Sequence, residues 1–522
     1  MSNRVRDDIF LSASSYDRYD LYQRIQAAST VQLSTAQWLA GYRNHSLAVS
    51  EINLRQLAAN AGRNYGSIYN MYNDLVALLK TLVPDEEGPA AQLFNVPAGR
   101  VRFALVEQGN PYAFLQAVLA QTYDSSDDFL AAQATSKVTM LRHLKPLRAL
   151  SSAVGVRLHY EGMSITGDER RVRILLTLAF WLATDGAVWP FTLDRDTVVR
   201  AADMIFDTFD VSAVNPVSRE VAAYYLAVAV QRIRQGHCVD YQAEEQVLNY
   251  PVPNLYAELS RQFGGDLPLP KLTEETQLGE SAYAYFLTNF APMFVTPEST
   301  AAADVLARFG RYNPELSQLV TDFLDKLPSP MFDAQHLPAS ARAILLANLL
   351  AITVSTLTFG VDLGALLAGA FSQTVAAAPE DPDLRRKVQQ TLENVVATSP
   401  LTHQFAPLIP VLTQSFYDNL RQLTLRYQPK QTVKVLPLME QTALGYVDLY
   451  TFLLMQPFVT VLPPDSPIES ADVVIQAASV PVSPEQLGNA VFFQWHLNAS
   501  SDLFGRLFAL LRQLWLDQIE EA

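Results

Sequence analysis

The sequence predicts a mainly α, multidomain protein with a small α/β domain at its C-terminal end. Three observations carry this. At 522 residues the chain exceeds what one core serves, and about three to five domains is the natural division. Long apolar patterns of helical period fill the middle, broken by Pro-containing loops such as Leu327-Pro-Ser-Pro330 and Ala378-Pro-Glu-Asp-Pro382. Beyond residue 428, strand-like and helix-like segments alternate, the pattern of a parallel α/β layer.

Composition narrows the class. Apolar residues make up 49% of the chain and the mean hydropathy is +0.07, values of a well-packed soluble protein. The formal net charge is −15, which argues against a protein coated in nucleic acid but leaves room for a local basic patch. The single cysteine, Cys238, excludes an internal disulfide framework and fits a reducing, cytoplasmic setting. The opening Met-Ser-Asn-Arg-Val-Arg-Asp-Asp has no apolar run, so secretion is not expected. Ala343 to Val361 is 19 residues without a charge, at the lower limit for a membrane span. It contains Asn348, threonines and Ser355, Asp362 follows at once, and no aromatic belt flanks it. It reads as a buried helix, with no membrane partner.

Taken in order, residues 1–14 read as a loose arm, and Tyr19–Arg43 carries helical patterning with Leu21, Ile25, Trp38 and Leu39. In Glu51–Leu75, Asn53 caps a short helix holding Leu54, Leu57 and Ala58, Gly62 makes a turn, and a second helix runs from about Tyr65 to Leu82. The exposed side of that turn and helix offers Arg63, Asn64, Ser67 and Asn70, whose amides, hydroxyl and guanidinium suit base edges or phosphates. Phe94-Asn-Val-Pro-Ala-Gly-Arg-Val-Arg-Phe103 reads as a hairpin that would serve this helix-turn-helix as a wing, with Val83–Pro89 as its turn or linker.

The most informative stretch begins at Ser126. Ser126 with Asp127 and Asp128 reads as a helix start, Ala134-Thr135-Ser136 as a turn, and Ser136 as the cap of a second helix. Val138, Leu141, Leu144 and Leu147 repeat at helical spacing, leaving Lys137, Arg142, His143, Lys145 and Arg148 for the other face. Pro146 lies inside this pattern, so the helix bends or ends there and contact narrows to Ser136–Lys145. Val156–Tyr160 alternates, Glu161-Gly162 turns and Met163–Ile165 returns, making a two-stranded wing. A helix-turn-helix with a wing places its second helix in a DNA major groove. From Lys137 to Arg173 there are eight Lys or Arg against three acids, a local net charge of +5 in an acidic chain. Phosphate is the usual reason for such an island, the plain alternative being a solvated helix face. The candidate contacts are Ser136, Lys137, Thr139, Arg142, His143 and Lys145, with Arg157 on the wing.

The order of these features, followed by Thr166-Gly-Asp-Glu-Arg-Arg-Val-Arg173, Trp181, the triplet Trp189-Pro-Phe191 and the helix Tyr224–His237, resembles the Mga/AtxA-type family of transcriptional regulators of Gram-positive bacteria. The resemblance runs from about residue 15 to the C-terminus and is strongest between 108 and 240. It implies winged helix-turn-helix modules over 15–107 and 108–173, PTS-regulation-like helical domains over 174–290 and 291–427, and an enzyme IIB-like α/β domain over 428–522. It also implies double-stranded DNA as a partner, a homodimer paired through the C-terminal domain, and a PTS phosphocarrier protein as a possible phosphate donor.

Two tests of chemistry follow. A working enzyme IIB of this kind uses a thiolate after its first strand. Here that loop is Pro437-Leu-Met-Glu-Gln441, with no cysteine or glycine, so a role in pairing protomers is expected instead. Neither Tyr224–Arg232 nor Ile344–Leu357, where a regulatory histidine would lie, contains one. His237, His336 and His403 lie near helix ends or loops, and His237 and His403 are kept as candidate phosphoacceptors. No Cys/His cluster suggests a metal, no cofactor is implied, and no phosphate-loop, dinucleotide or hydrolase motif suggests an enzyme. A protein-interaction scaffold whose winged modules no longer bind DNA is the competing expectation.

Overall fold

The computed structural model describes residues 9–31, 37, 40–41, 51–84, 90–211, 215–239, 248–249, 253–290, 300–328, 339–360, 381–427, 432–439, 446–476, 488–496 and 501–521. Outside them lie Trp38, Leu39, His336, Glu440, Gln441 and parts of the loops 327–330 and 378–382. The chain is mainly helical and divides into two compact units. One comprises 1–295, 299–314 and 351–371; the other comprises 296–298, 315–350 and 372–522.

The first unit opens with α1 (Ala13–Val31), α2 (Leu54–Ala61) and α3 (Tyr65–Leu82). Asn53 Oδ1 accepts from the amide of Gln56 at 3.1 Å to start α2, and Gly62, at φ +63°, ends it in the left-handed conformation that glycine adopts without strain. Asn64 then caps α3, accepting from the amide of Ser67 at 2.7 Å. Residues 94–103 are not a hairpin. Gln92–Asn95 form a 3-10 turn, and α4 covers Ala98–Glu107. Phe94 is fully buried between Tyr22 and Tyr72, with ring centroids 5.8 and 5.6 Å away. Arg102 reaches past the core to donate to Ala183 O at 3.0 Å. Alternating Arg and apolar residues here mark a helix that buries Val101 and Leu105 and threads Arg102 between neighbours. The first helix-turn-helix therefore has no strand wing among the described residues.

Next come α5 (Asn110–Ala120), α6 (Ser126–Ala132), α7 (Lys137–His143) and α8 (Lys145–Ala153), then β1 (Arg157–His159) and β2 (Ser164–Thr166). The strands are antiparallel, with Leu158 opposite Ile165. Gly155 turns into β1 at φ +70°, and a Cβ there would lie 2.8 Å from the Arg171 guanidinium. Only Gly167 and Asp168 separate β2 from α9 (Glu169–Thr184), which Asp168 caps. One core runs from Phe10 through Phe94, Phe114, Phe129, Met140 and Leu175 to Tyr224 and Val228. Further helices of this unit are α10 (Arg195–Thr208), α11 (Pro216–Arg234), α12 (Leu255–Phe263), α13 (Glu274–Phe290) and α14 (Thr300–Tyr312).

A buried ionic knot joins α9 to α11 and α13. Arg173 has no exposed surface; it donates to both carboxylate oxygens of Glu280, at 2.6 and 2.8 Å, to Glu169 at 3.1 Å and to His237 O at 2.9 Å. Arg232 grips Glu169 with two bonds of 2.9 and 2.6 Å. The amide of Val239 donates to Glu280 at 2.8 Å. Burial opposes the charge on Arg173, but Glu280 and Glu169 outweigh it and hold the guanidinium firmly protonated.

α15 (Pro314–Lys326) begins at the end of the first unit and lies almost wholly in the second. α16 (Ala339–Phe359) passes from the second unit to the first at residue 351. Its most apolar window is 78% buried, as befits a core helix. In the second unit, α17 (Pro382–Thr398), the short α18 (Thr402–Phe405) and α19 (Ile409–Tyr427) follow. Phe416 meets Phe323 of α15 edge-on at 4.9 Å. The sheet then has the order β4 (Val459–Val461), β3 (Val433–Leu438), β5 (Val473–Gln476), β6 (Val491–Gln494), all parallel. Alternation sends Val433, Val435, Val473 and Ile475 to one face, against α20 (Val447–Leu454) and α21 (Ser501–Glu521), and Leu436 and Val474 to the other. The edge strand β6 forms at the short strand-like run Val-Phe-Phe.

Candidate nucleic-acid interface

The region around α7 is built from its caps. Ser125, not Ser126, caps α6: its Oγ accepts from the Asp128 amide at 3.4 Å, while Ser126 is buried and donates its amide to Glu161 O in the wing turn at 3.1 Å. Phe129 anchors α6 against Phe114 and Tyr123. Ala134 takes a left-handed φ of +46°, and Ser136 caps α7 by accepting from the Thr139 amide at 3.2 Å. Tyr160 of the wing packs on Phe114 at 5.7 Å, so helix and wing share one anchor.

Pro146 does not interrupt a helix; it begins one. α7 ends at His143, and α8 starts at Lys145 with Pro146 in its first turn, where a missing N–H costs nothing. The inward row keeps its helical spacing across the break. Met140, Leu144 and Leu147 are fully buried, whereas Val138 is 78% exposed and Leu141 38%. The expected row Val138–Leu141–Leu144–Leu147 fails because strict spacing by three drifts around a helix, and Met140, four before Leu144, takes the inner place.

The candidate side chains differ in availability. Arg142, Lys145 and Arg157 are exposed and make no ion pair among the described residues; so is Arg148, which the sequence reading placed on the basic face without naming it as a contact. Lys137 pairs with Glu161 at 3.1 Å, with both side chains exposed, so solvent and salt weaken that pair. Ser136 and Thr139 are joined through their hydroxyls at 3.0 Å. His143 is half-buried, 3.3 Å from the Asn110 amide nitrogen, and burial and Arg142 both lower its pKa from the ordinary 6.5, so it is neutral at pH 7.

Three of the eight cations counted from sequence belong to the interior or to local pairs. Arg173 sits in the ionic knot, Arg170 pairs with Asp168 at 2.7 Å, and Arg171 donates to Phe359 O at 2.6 Å. The basic face thus reduces to Lys137, Arg142, Lys145, Arg148 and Arg157.

In the first helix-turn-helix, Arg63 is held by Asp17 of α1 through two bonds, at 2.7 and 3.0 Å. Asn64 is occupied as the cap of α3, Ser67 is half-buried, and Asn70 is exposed. Tyr65 and Tyr69, about half exposed, stack at 6.0 Å on the same helix. Of the candidate phosphoacceptors, His403 is exposed at α18. His237 is half-buried behind α11, and burial, then Arg232, lower its pKa despite Glu169. Among the described residues no group of three or more His, Cys, Asp or Glu gathers as a metal site would require.

No family model matches the chain. Over 269 residues it is 18% identical to the capsule synthesis positive regulator AcpB of Bacillus anthracis, a match that covers 48% of this chain and 54% of the relative. The chain thus spans about half the length of the curated relative it matches, and the similarity is to a regulator.

Proposed function

We propose that the chain is a cytoplasmic, non-enzymatic transcriptional regulator of the Mga/AtxA type that binds duplex DNA through α7 and its wing. One observation carries the reading: α7 buries Met140 on one side and presents Arg142 on the other, with Lys145, Arg148 and Arg157 nearby in sequence, all free of acidic partners among the described residues. Cations without acids are available to phosphate, and the second helix of such a motif enters the major groove. The similarity to a regulator supports the same reading. On this proposal the segments 174–290 and 291–427 are PTS-regulation-like domains open to phosphorylation at His237 or His403. The segment 428–522 pairs protomers in the manner of an enzyme IIB-like domain.

The test is fluorescence anisotropy on duplex DNA across a salt series. Affinity falls steeply with salt, and Arg142→Glu weakens binding to all sequences and lowers the logarithmic salt slope by about one. Binding unchanged in both Arg142→Glu and Lys145→Glu removes α7 and the start of α8 as the docking surface. The exposed Tyr65 and Tyr69 favour a second reading, an interaction scaffold, which a folded protein that ignores DNA at low salt would bring forward.

A further inference from the structure

The outward side of α7 is not uniformly charged. Val138 and Leu141 stand on it within a turn of Arg142, and Val138 is the more exposed of the two. At 100° per residue, Val138 lies about 200° around the helix from the buried Met140. A β-branched residue there favours neither the helix, where its side-chain freedom is restricted, nor the core, which Met140, Leu144 and Leu147 already fill. Seven residues therefore present two apolar side chains outward beside the unpaired Arg142, with the exposed Lys145 and Arg148 following in α8.

Those cations select the occupant. A small apolar patch with the exposed Arg142, and with Lys145 and Arg148 following closely in the chain, is complementary to a polyanion that also displays apolar groups. Duplex DNA meets both conditions. In the major groove the only apolar group on a base edge is the 5-methyl of thymine. We infer that Val138 and Leu141 read thymine methyls, so that the preferred site carries thymine where α7 lies in the groove. This rests on the DNA-binding reading and adds to it a base preference that phosphate contacts alone cannot supply.

The experiment selects bound duplexes from a random pool with the full-length chain, then rebuilds the enriched duplex with deoxyuridine in place of each thymidine in turn. This removes one methyl and nothing else. The expected result is a loss of about fourfold at one or two adjacent positions, the worth of one methyl group taken out of water. Val138→Ala or Leu141→Ala abolishes the loss at one of those positions. Both side chains are exposed, so circular dichroism of these variants should match the parent. Uracil duplexes that bind like thymine duplexes, with the salt slope intact, overturn the base preference and leave DNA binding standing. A loss that persists unchanged in both variants assigns the methyl to another residue and also overturns it. Failure to enrich any duplex at low salt, from folded protein, overturns this inference and the DNA-binding reading together.

Discussion

At Arg173 a cation has lost all its water, and it stays charged because Glu280 and Glu169 meet it from two helices. Removing one partner leaves the other ion buried without a counterpart, which typically costs about 3–5 kcal/mol. Arg173→Met is expected to destabilise the first unit by that order, seen as a lower urea midpoint. Arg173→Met with Glu280→Leu should cost less than the two single changes summed, because no stranded charge remains. A strictly additive pair would contradict the coupling. From sequence, Arg173 was one more positive charge in a basic stretch. Counting charge along a chain does not reveal which way a helix turns each residue, and the partner lies more than a hundred positions away.

Local structure in the element range was legible where its chemistry is local. Asn53, Gly62 and Ser136 bracket their helices as their side chains and backbone freedom dictate, and the β1–β2 hairpin follows from its alternation; Asn64, expected as a DNA contact, is instead the cap of α3. Reading failed where period was ambiguous. Residues 94–103 alternate like a strand yet form a turn and α4, because tertiary packing of Phe94 and Val101 outweighs a short alternating pattern. The caps yield a test of their own. Asn64→Ala should lower stability by about 1 kcal/mol and Asn64→Ser should restore most of it, measured by chemical denaturation. No loss in the alanine variant would show that water replaces the capping oxygen.

Across the whole molecule, the alternation of strand and helix near the C-terminus gave away the parallel sheet, whereas β6 was missed because four residues carry too weak a pattern alone. The candidate interface was proposed from its caps and charges, but its inner row was misassigned because strict spacing by three drifts off the buried face, which Met140 occupies in place of Val138 and Leu141. The apolar helix α16 was distinguished from a membrane span by its polar residues, and Asn348, Thr353, Ser355 and Thr356 are buried along it. The protein is accordingly expected to stay at the bottom of a flotation gradient with neutral-lipid vesicles. Co-migration with the vesicles would instead mean that α16 leaves its packing.

The two residues between β2 and α9 give the wing almost no slack. Glu169, the first residue of α9, is clamped by Arg232 of α11, and Arg173 one turn later is locked to Glu280 of α13. The hairpin is therefore tied at both ends, to the ionic knot through α9 and to α6 through the Ser126 amide on Glu161 O. A tilt of α11 or α13 that kept those bonds would load the hairpin's own anchorage on Phe114 and α6, because no flexible linker lies between them to absorb the motion.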